Sequence, residues 1–327
     1  MVTVALAGAT TGLGLTFLHT FLHLNAQDQE HKIVLLSRSE QPEFSALGVD
    51  LRTVDYADHA EPVKALQGVH TVLSLIGGQL DGRHNPQLDL LKAAKEAGVQ
   101  RFAPSEYAGN GYEGVEMYRP KAEVWKAVRK SGIPEYTRFN CGLFMSVLAT
   151  GTPKEADGRT EALAGLRPWN FVLNMRAGTA DLAGDGSAKM VLTDTRDVAR
   201  FVYRALELER WPEHLGMQGD VVSFQELVGM LEDVQGRKFS VKENDLDVLL
   251  DEAAKNPSKA LYNQARVALQ KGWAMVGDDL NRAFPDVKPV KARQFIEKWW
   301  SGLELEEPAW VDNKIFGQRD FDNAKTK

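Results

Sequence analysis

The chain has 327 residues, of which 43% are hydrophobic and 26% are charged, and its net charge is −6. This composition is typical of a folded globular protein, and the acidic balance excludes an electrostatic footprint for direct binding of nucleic acid or an anionic membrane. No apolar run approaches the roughly 20 residues that span a bilayer, and the single cysteine, Cys141, cannot form an intrachain disulfide. We therefore expect a cytoplasmic protein without a signal segment.

The first strand and the turn after it carry the clearest chemical pattern. The apolar run 2–7 predicts a buried parallel strand, and the apolar run 15–24 predicts a helix. A glycine-rich turn between them directs free backbone N–H groups and the positive end of the helix dipole at one point, where a diphosphate can approach closely. A plain glycine turn is the alternative. We predict that a dinucleotide is held there by Gly8, Thr10, Thr11, Gly12, Leu13 and Gly14.

The segment 31–38 predicts a second strand, which ends at Ser37 and Arg38. In a dinucleotide-binding fold the end of this strand lies beside the adenosine ribose, where a carboxylate favours a free 2′-hydroxyl and an arginine favours a 2′-phosphate. The first carboxylate after Arg38 is Glu40. The sequence therefore favours NADP(H) over NAD(H), the alternative being that Arg38 is a solvated surface residue.

Three further strands are predicted over 49–56, 69–78 and 99–107, with a helix over 86–98. This alternation is typical of a Rossmann-type doubly wound parallel sheet, in which ligands bind beyond the carboxyl ends of the strands. We expect Asp55 and Tyr56 near the adenine. The other predicted cofactor residues at these strand ends are Ile76, Gly77, Ser105 and Glu106.

A helix is predicted over 121–130, followed by a sixth strand over 135–145. Asn140 is predicted to contact the cofactor where a nicotinamide would lie. The predicted substrate pocket consists of Tyr107, Phe144 and Met145. Aromatic and methionine side chains at such places more often serve packing, so this alternative stays open.

The regular alternation ends near residue 150, where Gly151-Thr-Pro begins a series of predicted loops that includes Asp157-Gly. We predict a Rossmann domain over 1–150 and a smaller α/β substrate domain over 151–327. Residues 189–209 again predict a strand and a helix, with Asp194 or Thr195 as the cap, and this piece could return to the first domain. A capping box at Ser223-Phe-Gln-Glu226 predicts a helix that ends at Gly236.

The sequence lacks the tyrosine and lysine pair of ordinary short-chain dehydrogenases, in which the lysine follows the tyrosine by four residues on one helical face. Tyr118 precedes Lys121 by three residues, but Pro120 between them marks the start of a helix. His19 and His23 have the helical spacing of metal ligands but lack the rest of a zinc motif, so no metal site is predicted.

Several segments together carry a family resemblance, and they are, in order, Gly8–Gly14, Leu36–Arg38, Arg101–Tyr107 with its Pro-Ser-Glu-Tyr run, Lys121, and Gly132–Thr137. Through these segments the chain resembles the isoflavone reductase-like and NmrA-like branch of the atypical short-chain dehydrogenases. One departure is Thr11, where family loops often carry glycine. The resemblance implies a Rossmann domain with a small substrate domain and NADPH/NADP as the cofactor. It also implies that Lys121 is the general acid/base and takes part in cofactor binding, a task that suits a lysine whose pKa burial lowers.

The resemblance leaves two functions open. The first is an NADPH-dependent reductase of a small, largely apolar and aromatic substrate, for which the family precedent includes a quinone-methide-like intermediate formed after the lysine removes a phenolic proton. The second is a non-catalytic NADP(H) sensor that acts on a regulatory protein partner. Lys121 favours the enzyme, because a sensor needs no proton donor at that position.

Overall fold

The computed structural model describes residues 1–77, 85–154 and 159–310. Gly78, predicted at the end of the fourth strand, and the loop predicted at Asp157-Gly lie outside these residues. In chain order the strands are β1 (Val2–Ala7), β2 (His31–Ser37), β3 (Asp50–Thr53), β4 (Thr71–Ser74), β5 (Arg101–Ala103), β6 (Glu135–Tyr136), β7 (Arg138–Asn140), β8 (Leu143–Phe144), β9 (Leu173–Asn174), β10 (Thr179–Ala183), β11 (Met190–Thr193), β12 (His214–Gly216), β13 (Asp220–Val222) and β14 (Ser240–Asn244).

The α-helices are α1 (Gly12–Asp28), α2 (Pro42–Ser45), α3 (Ala60–Ala65), α4 (Pro86–Glu96), α5 (Arg119–Arg129), α6 (Arg159–Ala162), α7 (Thr195–Arg204), α8 (Phe224–Gln235), α9 (Leu246–Lys255), α10 (Pro257–Gln270), α11 (Asp279–Ala283) and α12 (Ala292–Trp300). Sequence signals explain several of their ends. Asp194 caps α7 by accepting a hydrogen bond from the Arg196 N–H at 2.8 Å. The predicted capping box of Ser223 and Glu226 opens α8, and Gly236 ends it in the left-handed conformation.

The main sheet has the order β3-β2-β1-β4-β5-β6 and all its pairings are parallel. The chain runs outward from β1 in one direction and from β4 in the other, so the strand order reverses between these two strands. Helices cover both faces, which explains why all of β4 and the last four residues of β1 are buried. The carboxyl ends of β1 and β4 therefore border the crevice where such sheets bind ligands.

Helix α7 packs on the same face of the main sheet as α1, although it follows the chain's first 150 residues. Phe201 and Tyr203 of α7 share a buried cluster with Phe17 and Phe21 of α1, and the Phe21 and Tyr203 rings meet edge to face at 5.1 Å. A separate apolar core contains residues of β8, β11, α8 and α12. The exact division of the chain at residue 150 stays a prediction.

The predicted sixth strand, 135–145, is wrong as a single element. The structure divides it into β6, β7 and β8, which pair with β5, β12 and β11 respectively. Gly142 between β7 and β8 has a φ of +71°, and a Cβ there would lie 2.2 Å from the Val191 carbonyl oxygen. The chain turns sharply at this glycine and approaches β11, so one continuous strand is impossible.

Candidate active site

The glycine turn is built by close backbone contacts that exclude side chains. Gly8 has a φ of +83°, and a Cβ on it would lie 2.8 Å from the Ile76 nitrogen at the end of the neighbouring strand. A Cβ on Gly14 would lie 2.2 Å from the Gly8 carbonyl oxygen. Helix α1 begins at Gly12, and the N–H groups of a helix's first turn have no partner within the helix, so they are available to a ligand in the crevice between β1 and β4.

A cavity of about 600 Å³ lies at this end of the sheet. Most of the predicted cofactor residues line it, namely Gly8, Thr10, Thr11, Gly12, Leu13, Arg38, Asp55, Tyr56, Ile76, Gly77 and Ser105. The cavity is also lined by residues that were not predicted, namely Leu36, Ser37, Ala57, Leu75 and Pro86. Most of these are chain neighbours of predicted residues, so a wider window at each strand end would have found them.

One end of the cavity offers an arginine and an unpaired phenol. Arg38 follows β2 and is exposed, and no ion pair involves it among the described residues. The Tyr56 hydroxyl is buried and lacks a hydrogen-bond partner in the described chain. Burial raises the pKa of Tyr56 well above its ordinary value, and the charge of the nearby Arg38 opposes only part of this rise. Asp55 is engaged locally, since its Oδ1 accepts a hydrogen bond from the Ala57 N–H at 2.9 Å.

The other end of the cavity reaches Ser105, next to Lys121. Gln87 fixes Ser105, because its Oε1 accepts a hydrogen bond from the Ser105 N–H at 2.8 Å. The Lys121 Nζ donates a hydrogen bond to the Ser105 carbonyl oxygen. Burial lowers the pKa of the Lys121 amine, while the charge of Glu106 opposes this effect. Lys121 therefore combines a half-buried amine with a position beside the cavity.

Tyr118 is the N-cap residue of α5, three residues before Lys121. Burial raises the pKa of Tyr118 to about 12, and Cys141 and Glu106 act in the same direction. A phenol with a raised pKa donates its proton less readily near neutral pH. This environment agrees with the sequence evidence against the tyrosine of ordinary short-chain dehydrogenases.

Several predicted residues do not line the cavity. Asn140 is buried, and its Nδ2 donates a hydrogen bond to the Gly109 carbonyl oxygen at 2.7 Å. Tyr107 lies in the core, where its ring packs 5.0 Å from that of Phe17. Gly14 and Glu106 are not among the lining residues. Phe144 is half-buried, and Met145 is fully buried in the second core. The roles proposed for these residues remain predictions.

The donor groups and the space fit a phosphorylated nicotinamide dinucleotide. The turn is packed too closely for a side chain at Gly8 or Gly14. Gly8 and Gly12 line the cavity, so a diphosphate there could reach the backbone of the turn. The buried Tyr56 hydroxyl and Arg38, which forms no ion pair with any described residue, line the same cavity, where they suit an adenosine with a 2′-phosphate.

Comparison with known proteins decides the family. The NmrA-like family profile matches residues 2–286. This chain belongs to the NmrA-like family. Oxidoreductase BOA1 of Botryotinia fuckeliana (strain B05.10) is 33% identical over 247 residues, which cover 73% of this chain and 78% of the relative. Phenylcoumaran benzylic ether reductase PT1 of Pinus taeda is 28% identical over 287 residues, which cover 78% of this chain and 83% of the relative.

Solved structures of NmrA-like relatives share the fold. The structure of AtPrR2 with NADP+ and (+)pinoresinol has a TM-score of 0.70 and 23% identity, and covers 91% of this chain and 98% of its own. The predicted family and the Rossmann-type fold with a second, smaller unit are thereby confirmed. Among the described helices, none has both the length and the apolar character needed to cross a bilayer.

Proposed function

We propose that this NmrA-like protein is a reductase of a small, largely apolar and aromatic substrate, with Lys121 as the general acid/base. The coarser function is that of an NADPH-dependent oxidoreductase. Its named relatives are an oxidoreductase and a reductase, and AtPrR2 was solved with NADP+. The single observation that carries the proposal is the continuity of the cavity. It runs from Arg38 past the glycine turn to Ser105, whose carbonyl accepts a hydrogen bond from Lys121.

Each part of the cavity supplies one requirement of the reaction. Arg38 would hold the 2′-phosphate through charge-assisted hydrogen bonds, and the backbone around Gly12 would hold the diphosphate. NADPH supplies the hydride when it is bound. Lys121 manages the proton, and a half-buried amine with a lowered pKa exchanges protons more readily near neutral pH than a solvated lysine does.

The substrate class is inferred from the relatives. One relative is a phenylcoumaran benzylic ether reductase, and AtPrR2 was solved with pinoresinol. Both names point to aromatic ethers with phenolic groups. For such a substrate in this chain, Lys121 would remove a phenolic proton, and the phenolate would expel the benzylic ether oxygen as the C–O bond breaks. The quinone methide that remains has an electrophilic benzylic carbon that can accept a hydride, and the proton held by Lys121 would neutralise the expelled oxygen.

The test is NADPH oxidation by the purified protein against a panel of aromatic ketones, enones and benzylic ethers. Lys121→Ala should lower turnover by at least about 100-fold, the usual contribution of a general acid/base, with NADPH affinity nearly unchanged. Lys126→Ala is the matched control, since this exposed lysine lies on the same helix.

Normal turnover in Lys121→Ala would remove this lysine from the mechanism. A second result would overturn the reductase itself. If the whole panel is silent and calorimetry shows that NADP+ and NADPH bind with clearly different affinity, the protein is a cofactor sensor.

A further inference from the structure

A buried carboxylate, Glu106, stands beside the proposed catalytic lysine. It follows Ser105 directly and only 3% of its surface is exposed. Its Oε2 accepts a hydrogen bond from the Tyr112 hydroxyl at 2.8 Å. Its Oε1 is buried and has no hydrogen-bond partner in the part of the chain that the structure describes. A single hydroxyl therefore fixes the orientation of this side chain.

Tyr112 lies in the loop between β5 and α5, and Arg138 of β7 packs against it. The Arg138 guanidinium carbon lies 5.2 Å from the centre of the Tyr112 ring and 5.0 Å from that of Trp125. The Nε of Arg138 also donates a hydrogen bond to Nδ1 of His214 at 3.3 Å. Arg138 is thus held between two aromatic rings, so the Tyr112 ring has little freedom to move.

The charged groups around Glu106 come from several elements. The charges of Lys121 on α5 and Arg138 on β7 act on it, and Tyr112 donates a hydrogen bond to it from the loop. Burial has the largest effect and raises the pKa of Glu106 above its ordinary value, while Lys121, the Tyr112 hydrogen bond and Arg138 each limit that rise. The groups that act electrostatically on Lys121 are Glu106 and Cys141, and both favour its charged form against burial.

We propose that Tyr112 is a positioning residue for Lys121, because its hydrogen bond orients the carboxyl group of Glu106 and favours its charged form. Glu106 directly follows Ser105, whose carbonyl oxygen accepts the hydrogen bond of the Lys121 amine. The inference rests on the acid/base function proposed for Lys121. A purely structural role explains the arrangement poorly, since a buried charged network is often no more stable than apolar residues of the same shape. Its functional consequence is control of the proton on Lys121.

The direction of the effect follows from the charges. Tyr112→Phe keeps the ring against Arg138 and removes only the hydroxyl. Without that donor, Glu106 is more readily protonated, and the neutral acid no longer stabilises the Lys121 ammonium. The Lys121 amine should then lose its proton at lower pH.

The experiment measures the titration of Lys121 directly. Protein labelled with ¹³C in its lysines is titrated by NMR, and the Lys121 signal is assigned by its absence from Lys121→Ala. In Tyr112→Phe the midpoint should fall by up to about one pH unit, because the lost hydrogen bond acts on Glu106 and Lys121 receives only the change in the charge of Glu106. Tyr136→Phe is the matched control. The Tyr136 hydroxyl donates a hydrogen bond of 3.2 Å to the Glu213 carboxylate, and Glu213 is not among the groups that act on Lys121.

A second measurement tests whether the effect passes through Glu106. Glu106→Gln should lower the Lys121 midpoint by itself, and Tyr112→Phe should add nothing in that background. An unchanged Lys121 midpoint in folded Tyr112→Phe would overturn the proposal. The proposal would also fail if Tyr112→Phe shifted the midpoint equally in the wild-type and the Glu106→Gln backgrounds.

These outcomes are separate from the test of the proposed function. The titration needs no substrate, so it can support the link from Tyr112 to Lys121 even if Lys121→Ala retains turnover. Conversely, loss of turnover in Lys121→Ala with an unchanged midpoint in Tyr112→Phe would leave the reductase and remove only the positioning role.

Discussion

Arg38 is the residue on which the choice between the two nicotinamide nucleotides depends most directly. It is exposed at the end of β2, beside the buried Tyr56 hydroxyl, and lines the same cavity as the glycine turn. A guanidinium at this position can donate charge-assisted hydrogen bonds to a 2′-phosphate, and NADH has no phosphate to accept them.

Replacing Arg38 with glutamate should therefore reverse the preference. Arg38→Glu is expected to weaken NADPH binding by about 10- to 100-fold, since hydrogen bonds to charged groups contribute roughly 1.5–3 kcal/mol. NADH binding should change little or improve. Calorimetric Kd values for both nucleotides measure this, and Arg210→Glu makes the same change of charge at another exposed arginine. An unaltered NADPH Kd in Arg38→Glu would exclude this arginine as the phosphate ligand.

The residues that line the cavity could largely be predicted from the sequence, whereas Tyr112 and Arg138, which lie around Glu106, could not. The former follow the ends of parallel strands, and all such ends meet at one edge of the sheet. Tyr112 and Arg138 lie in a loop and in a separate strand, and only the folded chain brings them to Glu106 and Trp125. The sequence carries no periodicity that marks contacts of this kind.

At the scale of elements, the start of α1 requires glycine at position 14, because the neighbouring backbone leaves no room for a Cβ atom. A Cβ on Gly14 would meet the Gly8 carbonyl oxygen at 2.2 Å, while a Cβ on Gly229 in α8 would meet no atom within 4 Å. Both glycines are helical. Alanine ordinarily stabilises a helix relative to glycine, so the two positions separate helix propensity from the close contact.

The two alanine variants should thus change stability in opposite directions. Gly229→Ala is expected to raise the free energy of unfolding by about 0.5–1 kcal/mol. Gly14→Ala should lower it by about 1–3 kcal/mol through overpacking and should also weaken NADPH binding, because the turn must shift. Urea unfolding and nucleotide titration measure these effects. A stabilised Gly14→Ala with normal NADPH affinity would contradict the close packing of the turn.

The boundaries of β1, α4 and α8 follow their sequence signals, whereas the segment 135–145 shows where such signals fail. Its apolar residues fit a strand, but they serve three different sheets in succession. The break at Gly142 is required by the approach of Val191, which is distant in sequence. Local patterns report burial, and partners in other parts of the chain decide where a strand ends.

At the scale of the whole molecule, Asp197 joins parts of the chain that are far apart in sequence. It lies on α7, which packs against α1 on one face of the main sheet. Its carboxylate accepts a hydrogen bond of 2.8 Å from the N–H of Val290, a residue just before α12. Helix α12 belongs to the second core. Asp197 is fully buried and also pairs with Arg200 Nη1 at 2.9 Å.

Burial raises the pKa of Asp197 to about 6 from an ordinary value of 3.8, although the Val290 N–H and Arg200 oppose the change. The folded state therefore binds this proton more tightly than the unfolded state does. The contribution of Asp197 to stability is fully present below about pH 4 and is lost as the pH rises through 6. Other titrating groups cancel when the wild type is compared with a variant that lacks only this carboxylate.

Asp197→Asn should remove that dependence on pH. Between pH 4 and pH 7 the free energy of unfolding of the wild type should fall relative to Asp197→Asn by about 3 kcal/mol, because each unit of pKa corresponds to about 1.4 kcal/mol. Urea unfolding at several pH values measures the difference, and Asp278→Asn, at an aspartate paired with Arg282 near the surface, is the control. Parallel curves for the wild type and Asp197→Asn would show that this carboxyl does not titrate in the range. A difference confined to pH 4–7 would show that the buried Asp197 carboxyl, which joins α7 to the segment before α12, destabilises the fold when it loses its proton.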